Sequence, residues 1–150
     1  FVERDGTDAV YIDKVESFNN GMQMVSRIGS RIPLYCSGEG KAMLAQMDSW
    51  EAEEVWNASG VSPLTEHTIT DYGKFQQELA QIQQRGYALD NEENQIGVRC
   101  IACSLKDPAG IPKYAFSISA PTSRINDERI LELAFYVLEA GKEMAESLLR

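Results

Sequence analysis

Histidine occurs once in this 150-residue chain, at His67, and cysteine three times, at Cys36, Cys100 and Cys103. A single imidazole leaves little material for an acid–base pair or a histidine-rich metal site. Three thiols cannot all pair, and no positively charged, apolar, cleavable leader precedes them, so reduced cysteines in a cytosol are expected and no disulfides. Basic residues are scarce as well: 14 Lys and Arg against 23 Asp and Glu give a net charge of −9. Phosphates reward clustered Lys and Arg, so these 150 residues are not expected to touch DNA themselves. No apolar run reaches the roughly 18 residues that suggest a membrane span, which predicts a soluble domain.

What is present is enough for one domain over residues 1–150, since 43% of the residues are hydrophobic and the length supports a core without staples. The chain opens on Phe1 rather than Met and reads as a piece cut from a longer protein. Ala9 to Val15 predicts a strand, Asn19-Asn20-Gly21 a turn, and Met22 to Val25 its hairpin partner. A helix is expected over about Gly38 to Gln46, and a second after a capping box formed by Asp48 and Glu51, ending near Gly60. Asp71 caps a third, in which Tyr72, Phe75, Leu79 and Ile82 recur at helical spacing before Gly86 stops it. Strands follow near Tyr87–Asp90, Gly97–Leu105 and Lys113–Ser119, the last two joined by Asp107-Pro108-Ala109-Gly110. From Asn126-Asp127 a closing helix carries Ile130, Leu133, Phe135, Val137, Leu138, Met144 and Leu148 on a broad apolar face. Helices and strands do not alternate, so an α+β domain with one antiparallel sheet is the expected fold.

The most informative stretch is Pro33 to Ala45, where an extended segment passes through small residues into a helix and aims free backbone N–H groups forward. Gly38 and Gly40 fit either ordinary helix-start geometry or a cradle for a carboxylate. The spacing is wrong for a nucleotide-binding P-loop. Period-two alternation puts Ser117 and Ser119 on one strand face beside the small Ala115, where a ligand can approach and receive hydroxyl hydrogen bonds. Asp90 lies at a strand end next to this face, and Cys100 with Val98 points to it as well. A small acid is the natural occupant.

Cys100-x2-Cys103, with His67 and Cys36, invites a zinc reading, but an odd separation on a strand sends the two thiols to opposite faces. Cys36 and His67 as nucleophile and base have no local activating arrangement. A small-molecule enzyme or metal-binding domain using Cys36, Cys100 or His67 is therefore the rival reading, against which no cofactor, metal or catalytic residue is assigned.

The blocks Ile32 to Ala42, Thr68-Ile69-Thr70, Arg85 to Glu93, Gly97 to Ala102 and Ser117 to Pro121 resemble, in order, the C-terminal effector-binding domain of IclR-type bacterial transcriptional regulators. The resemblance implies a GAF-like domain whose curved antiparallel sheet is flanked by helices. It implies a non-enzymatic sensor of a small carboxylate, in a cytoplasmic bacterial homodimer or homotetramer. An N-terminal winged helix-turn-helix, absent from these residues, would contact operator DNA and repress a catabolic operon. Carried over position by position, polar ligand contacts fall on Gly38, Glu39, Asp90, Cys100, Ser117 and Ser119, and an apolar wall on Met24, Ile32 and Val98. Two residues depart from the pattern: Tyr35 stands where His is frequent, and Glu39 where a small residue is common. An acidic side chain at 39 accepts hydrogen bonds from hydroxyls and repels a second carboxylate, which points to a sugar acid.

Overall fold

The computed structural model describes residues 1–16 and 26–148. The Asn19-Asn20-Gly21 turn, the strand over 22–25 and Met24 lie outside the described residues. The chain begins with β1 (Val2–Asp5) and β2 (Asp8–Tyr11), folded back on each other with Asp5 opposite Asp8. Gly6, at φ +65°, supplies the left-handed residue that so tight a reversal needs. The expected strand over residues 9–15 is thus shorter, ends at Tyr11, and pairs upstream with β1 and downstream with residues Arg31–Pro33. Alternation alone did not reveal β1, whose Val2-Glu3-Arg4-Asp5 sequence is mostly charged and is held in place by pairing with distant β6.

After β3 (Arg31–Pro33) a 3-10 turn over Leu34–Cys36 leads into α1 (Gly38–Leu44), followed by α2 (Ser49–Ala58) and α3 (Tyr72–Arg85). Asp71 caps α3 by accepting from the Lys74 N–H at 2.9 Å, and Gly86 ends it at φ +86°. Asp48 stands at the N-cap of α2 but its side chain makes no capping bond, and Glu51 instead receives Arg4 at 3.0 Å. The expected capping box is therefore replaced by a helix-to-sheet ion pair.

Strands β4 (Ala88–Asn91), β5 (Val98–Lys106) and β6 (Pro112–Pro121) form a meander, and α4 (Asp127–Leu148) closes the chain. The Asp107 carboxylate fixes the β5–β6 turn by accepting from the Ala109 and Ile111 N–H groups. All six strands make one curved antiparallel sheet in the order β3-β2-β1-β6-β5-β4, the α+β, GAF-like arrangement expected.

Each face of the sheet carries helices. Val2, Ala9, Ile32 and Ala115 face a core with Leu34, Tyr35, Cys36, Met43, Leu44, Trp56 and Phe75, while Ala88 and Ala102 pack on Ala42, Ala45 and Ile82. Burying a side chain as fully as Phe75 contributes about 1.5–3 kcal/mol. Tyr35 is held in this core by Ser62, whose carbonyl accepts its hydroxyl at 2.8 Å. On the other face Ile101 meets Ile125, Ile130, Leu133, Ala134 and Val137, with Cys103 and Phe116 against them. The buried stripe of α4 is narrower than expected: Phe135 is 64% exposed, and Leu138, Met144 and Leu148 lie at its margin. Helical spacing locates an apolar face but not the width that the sheet can cover.

Candidate functional site

Antiparallel register puts Asp90, Cys100 and Ser119 side by side across β4, β5 and β6, with Ala88, Ala102 and Ser117 in the neighbouring row. Directly paired residues share a face, so this is the face that carries α1. Cys103 points the opposite way, under α4.

Small residues let α1 approach. A Cβ on Gly38 would stand 3.2 Å from the Ala102 Cβ and 3.6 Å from the Asp90 nitrogen, and one on Gly40 would fall 2.2 Å from the Leu34 carbonyl oxygen. Close packing therefore accounts for both glycines. Ser37 starts the helix: its hydroxyl donates to the Pro33 carbonyl at 2.7 Å and accepts from the Gly40 N–H at 3.1 Å. The N–H groups of Gly38 and Glu39 donate to nothing among the described residues.

Glu39 is 2% exposed. Its Oε1 accepts the Ser117 hydroxyl at 2.6 Å, the Ser119 hydroxyl donates to the Cys100 sulfur at 2.9 Å, and the two serine oxygens are 3.5 Å apart. Asp90 is also buried, its Oδ1 accepting the Glu93 N–H at 2.8 Å. Burial pushes its carboxyl up to about 7; the Glu93 N–H and Lys41 oppose the rise, and the charges of Glu93 and Glu39 add to it. The Tyr11 phenol is raised far above its ordinary value by burial and by Glu39, Cys100 and Asp90. Six of the expected residues thus come together: Gly38, Glu39, Asp90, Cys100, Ser117 and Ser119. Ile32 and Val98 are buried on the same face at β3 and at the start of β5.

Sequence reasoning missed Lys41, Glu93 and Tyr11. Lys41 is wholly buried, and its ammonium donates to the Leu89 carbonyl at 2.6 Å, Glu93 at 2.6 Å and Glu78 at 3.2 Å. Glu78 also receives Arg85 at 3.3 Å. Glu93 Oε2 is buried with no hydrogen-bond partner among the described residues. A lysine on a short helix carries no local sign of such burial, because its partners come from α3 and the β4–β5 loop. That loop is clamped by the Thr68 hydroxyl, which donates to the Glu93 carbonyl at 2.6 Å.

The rival chemistry finds no assembly. Burial raises the Cys36 thiol to about 12 and the Cys100 thiol well above its ordinary value, so neither is a ready thiolate. His67 is half exposed and faces Glu66. No group of three or more His, Cys, Asp or Glu side chains among the described residues is placed to hold a metal ion. Two surface clefts, of about 350 and 460 Å³, open beside the C-terminal half of α4 and the β5–β6 turn, and no residue of the Asp90–Cys100–Ser119 row lines either. Among the described residues no helix is long and apolar enough to cross a membrane.

A GAF-like sheet with a polar row beneath a short helix sets the fold and the candidate site, and the comparisons supply the class: a regulatory domain. Residues 1–146 match the family model for the bacterial transcriptional regulator IclR C-terminal domain. The transcriptional repressor IclR of Escherichia coli K12 is 35% identical over 143 residues, covering 95% of this chain and 52% of the relative. The regulator KdgR of the same organism is 37% identical over 141 residues, covering 94% and 53%. The crystal structure of Thermotoga maritima IclR superposes with a TM-score of 0.93 at 36% identity, covering 99% of this chain and 60% of that one. The chain belongs to the IclR family, as an effector-binding domain. It spans about half the length of the curated relatives it matches. Those relatives are transcriptional regulators, not enzymes, which overturns the reading built on Cys36, Cys100 or His67 as catalytic groups.

Proposed function

We propose that this domain senses a small hydroxylated carboxylate, of the sugar-acid type, between the start of α1 and the β4–β5–β6 face. The supporting observation is the row Asp90–Cys100–Ser119, buried at Asp90 and Cys100 and open to solvent at Ser119, with half-buried Ser117 beside it, overlaid by Glu39 and by the unused N–H groups of Gly38 and Glu39. The N–H groups suit the carboxylate of the effector and the acidic side chains suit its hydroxyls. Ile32, Val98 and, by family position, Met24 supply the apolar wall.

In the whole protein, occupancy biases the geometry of a cytoplasmic homodimer or homotetramer, and so the operator binding of an N-terminal winged helix-turn-helix. Repression of a catabolic operon is the output; E. coli IclR and AllR are themselves named repressors. A thermal-shift screen of the 150-residue chain against sugar acids, keto acids and aromatic acids tests the reading. A ligand at 100 times its Kd adds about 2.7 kcal/mol of stability. Stabilisation by a sugar acid that is lost in an Asp90→Asn, Ser119→Ala variant supports this site, and the absence of any response across all three classes defeats it.

A further inference from the structure

We infer that Glu39 decides which acids this pocket admits: its own carboxylate holds the Ser117 hydroxyl, so the ligand must present hydroxyl or N–H donors to the sheet and any carboxylate there is shut out. The inference rests on the sensor reading above and sharpens it.

A serine hydroxyl has one proton to give. That of Ser117 is given to Glu39 at 2.6 Å and that of Ser119 to Cys100 at 2.9 Å. What the two serines offer an incoming ligand is therefore lone pairs. Glu39 offers the same, since its Oε2 receives no hydrogen bond from the described residues; Asp90, whose Oδ1 takes the Glu93 N–H, has a carboxyl raised to about 7 and near neutral pH is divided between acceptor and donor. Lys41, the buried cation, is already engaged by Leu89, Glu93 and Glu78. The Tyr11 phenol is a neutral donor close enough to feel Glu39, Cys100 and Asp90. The sheet side of the pocket is thus rich in unspent acceptors and poor in donors.

A carboxylate so deeply buried accepts several hydrogen bonds when it is fully satisfied, and Glu39 has one. Donors on a ligand would complete its shell through charge-assisted bonds. A ligand carboxylate at the same place would have to displace Glu39 from Ser117 and then lie beside its charge, which like charges resist. Hydroxylated monocarboxylates are admitted with their hydroxyls toward β6. Short keto acids, which carry no hydroxyl, and dicarboxylates are rejected.

Calorimetric titration of the 150-residue chain with D-gluconate, pyruvate and succinate, for the natural chain and for Glu39→Ala and Glu39→Gln, tests this. The natural chain should bind gluconate at least about tenfold more tightly than pyruvate or succinate. Glu39→Ala frees the Ser117 hydroxyl and removes the charge, and should shift the pyruvate-to-gluconate ratio at least about tenfold toward pyruvate. Glu39→Gln keeps the size and an acceptor for Ser117 and should shift the ratio the same way by less, and thermal melts confirm that each variant folds. Equal binding of pyruvate and gluconate by the natural chain, or an unchanged ratio in both variants, overturns this inference and leaves the sensor reading standing. Failure of all three chains to bind any of the probes overturns both.

Discussion

The Ser117 hydroxyl donates to Glu39 Oε1 across 2.6 Å, joining the middle of β6 to the first turn of α1 over 78 residues of sequence. The bond is partly buried and one partner is a carboxylate, so its loss costs more than that of an exposed contact. Ser117→Ala should lower unfolding stability by about 1–3 kcal/mol in urea denaturation. Ser119→Ala, whose lost acceptor is a thiol, should cost less. Equal losses would show that the carboxylate acceptor gives the Ser117 contact no advantage.

Lys41→Met removes the only side-chain donor that Glu93 receives among the described residues and strands its carboxylate in the interior, while Glu78 keeps Arg85. Breaking a buried pair from one side costs about 3–5 kcal/mol. The double variant Lys41→Met, Glu93→Leu should recover part of that loss, because no unpaired charge then remains at position 93. Chemical denaturation of both variants measures the difference, and a double variant no more stable than Lys41→Met would refute the argument.

Asp90 gives stability a sign in pH. Its carboxyl is raised from 3.8 to about 7, so the folded chain keeps a proton that the unfolded chain has released. Stability is fully present below the unfolded value and falls as pH rises toward the folded one. The slope for this one group is at most about 1.4 kcal/mol per pH unit. Glu93, raised by burial, acts in the same direction. Tm should therefore decline between about pH 4 and about pH 7, and less steeply in Asp90→Asn, which keeps the acceptor for the Glu93 N–H. A natural chain whose Tm climbs over this range contradicts the assignment.

Gly40→Ala should prevent normal folding, since its Cβ would meet the Leu34 carbonyl oxygen at 2.2 Å and backbone cannot yield as a side chain can. Gly38→Ala, which meets the Ala102 Cβ at 3.2 Å, should fold with a loss of about 1–3 kcal/mol. Circular dichroism and thermal melts separate the two outcomes.

The elements written in local chemistry were legible: the Asp71 cap and Gly86 stop of α3, the turn at Asp107, and the alternation that turns Ser117, Ser119 and Cys100 to one face and Cys103 to the other. What escaped depends on residues far apart in the chain. Val2 to Asp5 becomes a strand only because β2 and β6 flank it. Lys41 reads as a solvated helix residue until Glu78 and Glu93 converge on it from 37 and 52 positions away. Phe135 counts among the apolar residues of α4, yet it lies two positions from both Leu133 and Val137, about 200° round the helix from each, and so faces outward. Glu39 stood out in the sequence as an unusual acid, but only coordinates reveal that it has already taken the proton of Ser117.

Glu39 and Lys41 stand two places apart on a helix of seven residues. At about 100° per residue they leave its axis in nearly opposite directions, one tied to β6 and the other to α3 and the β4–β5 loop. The helix is therefore a short strut moored on both sides, and rolling it slackens one mooring while straining the other. A molecule small enough to touch only Glu39 would in this way be felt at Glu93, on a loop it never reaches.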